Sequence, residues 1–268
     1  MNEAWQFSFL KNNFDMLPVH YNMNFQIKRW IEPLAFLSHI TKLSIFLSEC
    51  KGCGNQLVFR EEDLICTACR ETIVISTDPR CPLCGRIIRA GSDLCGECIV
   101  NPPKYRKHAT YTRYRGLIKS LILLYKYGGV ERLKHLFAEI FVELYDQTFE
   151  EAFDCFDYII PVPQDRGRKR DFLPIYEIAK CLSRRKKIKV LSGNLVKAKK
   201  TLPQAGLGRA RRIRNLDGAF KLLRPQDIAD KKILLIDDVY TTGTTINKCA
   251  GVLTKYAADI CAMTLAHS

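Results

Sequence analysis

Four consecutive apolar residues, Ile233-Leu234-Leu235-Ile236, run directly into Asp237-Asp238 and then into a hydroxyl-rich stretch, Thr241-Thr242-Gly243-Thr244-Thr245. A short, uninterrupted, branched run of this kind is expected of a strand covered on both faces of a parallel sheet. Residues 246–253 then carry apolar positions at helical spacing, so the pattern predicts strand, loop and helix in that order. Upstream, residues 107–114 alternate as a strand does. Residues 115–129 place apolar side chains at 117, 118, 121, 122, 124 and 125 and close on Gly128-Gly129, which reads as an amphipathic helix with its stop signal. A second helix is expected from Glu131 to about Tyr145, a short buried strand at Tyr158-Ile159-Ile160 halted by Pro161-Val162-Pro163, and another helix over 174–183. Residues 198–220, polar and basic with Gly206 and Gly208, are expected to form a flap that closes over a substrate.

The loop that follows Ile236 lies at the carboxyl end of a strand and the amino end of a helix. Open α/β sheets bind ligands there, and the helix dipole and free backbone N–H groups favour an anion. Threonine hydroxyls, with a glycine that lets the backbone approach closely, complete a phosphate cradle. Adjacent carboxylates accept hydrogen bonds from a diol or hold a divalent cation. A phosphate and a diol on one molecule describe a phosphorylated ribose. A Walker A loop is excluded, because no G-x-x-x-x-G-K-[ST] occurs in the chain.

The cysteines carry a second chemistry. Cys50/Cys53, Cys66/Cys69, Cys81/Cys84 and Cys95/Cys98 are four C-x-x-C pairs, separated by twelve, eleven and ten residues. Two thiolates two residues apart on a tight turn can share one tetrahedral ion, and two such knuckles close a Cys₄ shell with Zn–S distances of about 2.3 Å. Sequential pairing would give two zinc ribbons in tandem, each a local closure of low entropic cost. An interleaved cross-brace uses the same residues, and an iron–sulfur cluster is the rival metal. Closed Cys₄ shells leave no open position, so the expected role is structural. Cys155, Cys181, Cys249 and Cys261 are scattered and read as small buried hydrophobes.

Composition narrows the partners. The net charge of +14 comes from one region: residues 160–224 hold 19 Lys/Arg against 4 Asp/Glu, and the remaining 23 basic and 24 acidic residues nearly cancel. Such a segment concentrates a polyanion, whether pyrophosphate, nucleotide or nucleic acid. Tyr105, Tyr111, Tyr114, Tyr125 and Tyr127 lie among Lys104, Arg106, Arg113, Arg115 and Lys126, a mixture able to stack on and neutralise a single strand, with about half of those tyrosines expected in the core. No apolar run reaches the roughly eighteen residues of a membrane span. The first residues, with Glu3 and Asp15, do not read as a signal peptide, so a cytoplasmic home, peripheral to a membrane at most, is expected.

Residues 233–245 resemble the 5-phosphoribosyl-1-pyrophosphate (PRPP) loop of type I phosphoribosyltransferases. The resemblance implies that Asp237 and Asp238 bind the ribose hydroxyls and form the catalytic pair, and that Thr241, Thr242, Gly243, Thr244 and Thr245 wrap the 5′-phosphate. It also implies Mg²⁺ arriving with PRPP, and a pyrophosphate loop after Pro163 containing Arg166, Arg168, Lys169 and Arg170. With the C-x-x-C array, "LILLYKYGG", "PVP", Thr201 and Gln204, and Arg212 and Asn215 before "GAF", residues 45–268 resemble the ComF family. Where that family usually has Arg-Gly-Phe-Asn-Gln, this chain has Arg170-Asp171-Phe172-Leu173-Pro174. The family implies a double zinc ribbon at 45–100 and a phosphoribosyltransferase-like α/β domain at 104–268, and residues 1–44 are an unassigned extension that the resemblance does not cover. The implied function is PRPP binding in natural competence, in support of single-stranded DNA uptake alongside other uptake proteins. An active Mg²⁺-dependent phosphoribosyltransferase with a nitrogen acceptor, and a zinc-ribbon adaptor without catalysis, are the alternatives.

Overall fold

A computed structural model describes residues 49–57, 64–149, 155–164, 173–199 and 214–268. Residues 48–268 form one compact unit. The extension at 1–44, Arg166, Arg168, Lys169 and Arg170, and residues 200–213 of the expected flap lie outside the described residues.

Two five-residue helices, α1 (Thr67–Glu71) and α2 (Gly96–Val100), each start directly after a cysteine, Cys66 and Cys95. The chain then runs β1 (Lys107–Arg113), α3 (Gly116–Tyr127), α4 (Leu133–Phe149), β2 (Tyr158–Pro161), α5 (Pro174–Lys186) and β3 (Lys189–Val190). It continues through β4 (Leu195–Lys197), β5 (Phe220–Leu222), β6 (Lys232–Tyr240), α6 (Thr244–Leu253) and β7 (Asp259–His267). The main sheet is five-stranded in the order β1-β7-β6-β2-β3, with all pairs parallel. This is the expected α/β class. β4 and β5 pair antiparallel beside it and form the stem of the segment expected to be a flap.

Strand alternation divides the core into two layers. Leu234, Ile236, Cys261 and Met263 face α3, α4 and α5 through Leu121, Phe137, Phe141 and Ile178. Ile233, Leu235, Ile260 and Ala262 face the other way, onto Ile246, Cys249 and Leu253 of α6 and onto Leu195, Phe220 and Leu222 of β4 and β5. The central strands are therefore buried on both sides, which is why their sequences are continuous rather than alternating. Tyr105, Tyr111 and Tyr125 are core residues, so they offer no face to a nucleobase, whereas Tyr127 is 62% exposed. Cys249 and Cys261 are fully buried as expected, while Cys155 is exposed and Cys181 half-buried.

The cysteine module straddles the β1 edge of the sheet. Cys50, Ile65 and Ile73 join the first layer, and Cys81, Cys84, Cys95 and Cys98 join the second. Its backbone also satisfies the open side of β1: Ser76 N–H donates to the Tyr111 carbonyl at 3.0 Å, and His108 N–H donates to the Leu83 carbonyl at 3.0 Å. A free strand edge is thereby closed. Among the described residues no helix is long and apolar enough to cross a membrane.

Candidate functional site

β6 carries the two acids past the point where β2 leaves it. Pro161 stands opposite Ile236 and Val162 N–H donates to the Ile236 carbonyl at 2.9 Å, after which β2 has ended. On the other side pairing with β7 continues to Tyr240 opposite His267. The acids thus lie within β6 rather than beyond it, because β7 is long enough to keep the strand in register. Alternation then sends the two side chains to opposite faces.

Asp238 takes the face of Leu234 and Ile236 and meets the last turn of α3, where Lys126 Nζ lies 2.5 Å from its Oδ2. Only 12% of the Asp238 side chain and 23% of the Lys126 side chain is exposed. Burial alone would lower Lys126, but the Asp238 carboxylate outweighs it and raises the amine above its ordinary value, so Lys126 keeps its charge. Lys126 lies within the "LILLYKYGG" run, yet its partnership with an acid more than a hundred residues away leaves no trace in the sequence.

Asp237 takes the opposite face. It is half-buried beside Cys249 of α6, whose thiol is pushed well up by burial and by that carboxyl. Asp237 Oδ1 accepts the Asp238 backbone N–H at 2.9 Å. Burial first, and the Asp238 charge second, push Asp237 up to about 7. Near neutrality this carboxyl is therefore poised between proton and charge, the condition in which a ligand hydroxyl or cation gains most by meeting it.

The loop beyond β6 has the geometry of an anion cradle. Gly243 is the N-cap of α6 at φ +73, a backbone conformation that side chains rarely adopt. A Cβ there would stand 2.0 Å from the Tyr240 hydroxyl oxygen, so the loop can lie flat on that ring only because position 243 has no side chain. Thr242 Oγ1 and Thr244 Oγ1 are 2.8 Å apart on the two sides of the glycine. The first turn of α6 presents backbone N–H groups without helical partners, as every helix start does. Beneath the loop the Tyr240 ring stacks on His108 at 4.3 Å and on His267 at 4.9 Å between centroids. His108 is fixed in turn, Nδ1 2.8 Å from the Cys84 carbonyl and Nε2 3.0 Å from Thr264 Oγ1. A cavity of about 350 Å³ opens at the carboxyl end of β2, bounded by Pro161 to Gln164, Leu173, Tyr176 and Leu195 to Lys197.

Among the described residues, the groups of three or more metal-ligating side chains are Cys50/Cys53/Cys66/Cys69 and Cys81/Cys84/Cys95/Cys98, each with its sulfurs within 4.8 Å of one another. The first C-x-x-C therefore joins the second, and the third joins the fourth. A tetrahedral ion about 2.3 Å from each sulfur sets S–S edges of about 3.8 Å. The Cys53–Cys66 and Cys84–Cys95 separations of 3.8 and 3.6 Å fit that edge. Backbone N–H groups of Gly52 and Cys66 point at Cys50 Sγ from 3.4 and 3.2 Å. Burial raises these thiols, yet N–H donors hold Cys50 down to about 6 and Cys81 to about 7, whereas Cys84 is pushed up to about 12 by burial and crowding sulfurs. Each tetrad suits a structural zinc ion. Asp237 and Asp238, facing apart, form no ready chelate for Mg²⁺.

Residues 44–99 match the family model described as Double zinc ribbon domain. The chain is 26% identical to Competence protein F of Haemophilus influenzae, over 81% of this chain and 95% of that protein. It is 24% identical to Competence protein ComFC of Bacillus subtilis, over 79% of this chain and 87% of that one. Among solved structures, a crystal structure of adenine phosphoribosyltransferase aligns with TM-score 0.35 and 17% identity over 54% of this chain and 75% of that one, too loose a likeness to carry ligand geometry across. The cysteine tetrads and a similarity that runs on through the parallel sheet place this chain among the relatives of Competence protein F and ComFC, with a double zinc ribbon at residues 44–99.

Proposed function

We propose that the chain binds a phosphoribosyl ligand, PRPP or a close relative, at the carboxyl end of β6. The observation that carries this reading is the Gly243 turn, which lays a hydroxyl-flanked backbone at the start of α6 a few residues beyond Asp237. The phosphate takes the α6 N–H groups and the Thr242 and Thr244 hydroxyls, and Asp237 accepts from the ribose diol. Asp238 works from the far face, where its ion pair with Lys126 holds the strand end in place and keeps a second charge close to Asp237. Mg²⁺, brought in on the pyrophosphate, would supply charge neutralisation as that group leaves. The mostly apolar cavity of about 350 Å³ beside Pro161 and Tyr176 offers room for an acceptor, which favours the active-enzyme reading as the second one.

The names of the two relatives extend this to a role in competence. We infer a PRPP-responsive protein that acts with single-stranded DNA on the cytoplasmic side. The basic excess of residues 160–224 supports a polyanionic partner. Calorimetry with PRPP and Mg²⁺ tests the ligand. The wild type is expected to bind, and Asp237→Ala and Thr244→Ala to weaken binding by about tenfold or more each, the size of a charge-assisted hydrogen bond. Equal affinity in both variants would remove the site. Oligonucleotide affinity is expected to drop steeply with added salt, and a flat response would remove DNA as the partner.

A further inference from the structure

A cavity of about 240 Å³ separates the second cysteine ribbon from the loop Thr242-Gly243-Thr244. Its lining includes Arg86 from the ribbon, Lys248 from α6, and Tyr105 and Tyr240. Residues 241–247 contain no Lys or Arg, so the loop brings hydroxyls and N–H groups to an anion but no cation. Lys248 Nζ is already engaged by the Asp217 carboxylate. Arg86 has no carboxylate partner among the described residues, and its guanidinium lies near enough to Tyr240 to lower that hydroxyl against the upward push of burial.

The tyrosines add an independent sign of a ligand. Tyr105 and Tyr240 are 5% and 6% exposed, and their hydroxyls share a single hydrogen bond of 3.0 Å. Two hydroxyls carry two protons and one bond uses one of them. The other belongs to a buried donor on the cavity lining, with no acceptor among the described residues, a state that costs about 1–3 kcal/mol unless something fills it. Glu97 also lines the cavity, with Oε1 accepting from Asn101 Nδ2 at 3.0 Å.

We propose that Arg86, carried by the second zinc ribbon, is the cationic ligand of a phosphate monoester seated on Thr242 and Thr244, with the tyrosine pair donating from below. The inference rests on the phosphoribosyl reading above and deepens it by assigning part of the site to the ribbon. The ribbon holds Arg86 by its backbone: Cys81 N–H donates to the Arg86 carbonyl at 2.7 Å, and the Arg86 N–H serves the Cys84 sulfur. The guanidinium is left for the ligand, and a fused ribbon becomes part of the binding site rather than an appendage.

The test titrates ribose 5-phosphate into the full chain by calorimetry, with zinc content measured on each variant. Arg86→Gln is expected to keep its zinc and bind about 10- to 100-fold more weakly, and Arg86→Lys to recover part of the loss. In the wild type, nitrogen-15 spectra of arginine Nε–H groups are expected to show the Arg86 signal moving on addition of ligand, a readout that needs no variant to fold. Wild-type binding with an unmoved Arg86 signal, or with Arg86→Gln within twofold of the wild type, overturns this assignment and leaves the phosphoribosyl reading standing. A wild type that does not bind ribose 5-phosphate overturns both.

Discussion

Stripping metal from the cysteine tetrads is expected to unfold residues 48–268 as one unit, not the ribbons alone. Apparent binding free energies of structural zinc in small domains are about 10–16 kcal/mol per site, comparable to the whole stability of a domain. Here the two tetrads belong to different layers of the core, the first with α3 and α4, the second with α6 and β4. Their connecting segments also supply backbone partners to β1 through Ser76 and Leu83. Chelation should therefore bring far-UV circular dichroism and tyrosine fluorescence down together in a single transition. Cys84→Ser should cost more than Cys53→Ser, because Cys84 is buried and Cys53 is exposed. Two separate transitions, with the parallel sheet surviving the loss of zinc, would show that the ribbon is an independent domain. Iron in the purified protein would contradict the zinc assignment.

Opposite effects are expected from the two acids of β6. Asp238→Ala leaves the Lys126 ammonium buried without its counter-charge, and breaking a buried pair in this way costs about 3–5 kcal/mol. Asp237→Asn should stabilise. The Asp237 carboxyl has a folded-state pKa of about 7 against an ordinary 3.8, so between those values the folded chain holds a proton that the unfolded chain has lost. Stability from this group is then present in full below pH about 4 and falls as pH rises towards 7. Asparagine keeps the acceptor for the Asp238 N–H and carries no charge. The gain should be absent in acid and reach about 1–3 kcal/mol above pH 7. Denaturant melts at pH 4 and pH 8 measure both variants. A pH-independent effect of Asp237→Asn would mean that the carboxyl is not shifted upward. A harmless Asp238→Ala would mean that Lys126 is not its partner.

These two effects also explain what the sequence revealed of the site and what it concealed. The run from Ile233 to Thr245 was legible because a doubly buried strand and a Thr/Gly turn each have a local signature. The cysteine spacing was legible for the same reason, and the gathering of each C-x-x-C with its sequence neighbour follows the lowest-entropy closure. β7 was not anticipated: in Asp259–His267 small Ala and Thr residues alternate with large ones, and a strand buried on both faces has no polar beat to expose it. The second helix begins at Leu133 and runs on to Phe149, because 130–132 form a turn and Phe149 packs near Phe156. Lys126 and Arg86 were invisible as site residues, since what brings them to β6 and its loop is the packing of α3 and the second ribbon on opposite faces of the sheet. Local pattern names the elements. Which cation meets which acid is decided by tertiary contact.

On the reading proposed above, the turn after β6 seats a sugar phosphate whose diol reaches Asp237. A crystal structure of the zinc-loaded chain with ribose 5-phosphate tests it most directly. Phosphate density is expected over the start of α6, within hydrogen-bond reach of the Thr242 and Thr244 hydroxyls, with a ribose hydroxyl on Asp237. Phosphate bound elsewhere, or a turn still closed on Tyr240 at saturating ligand, would contradict it.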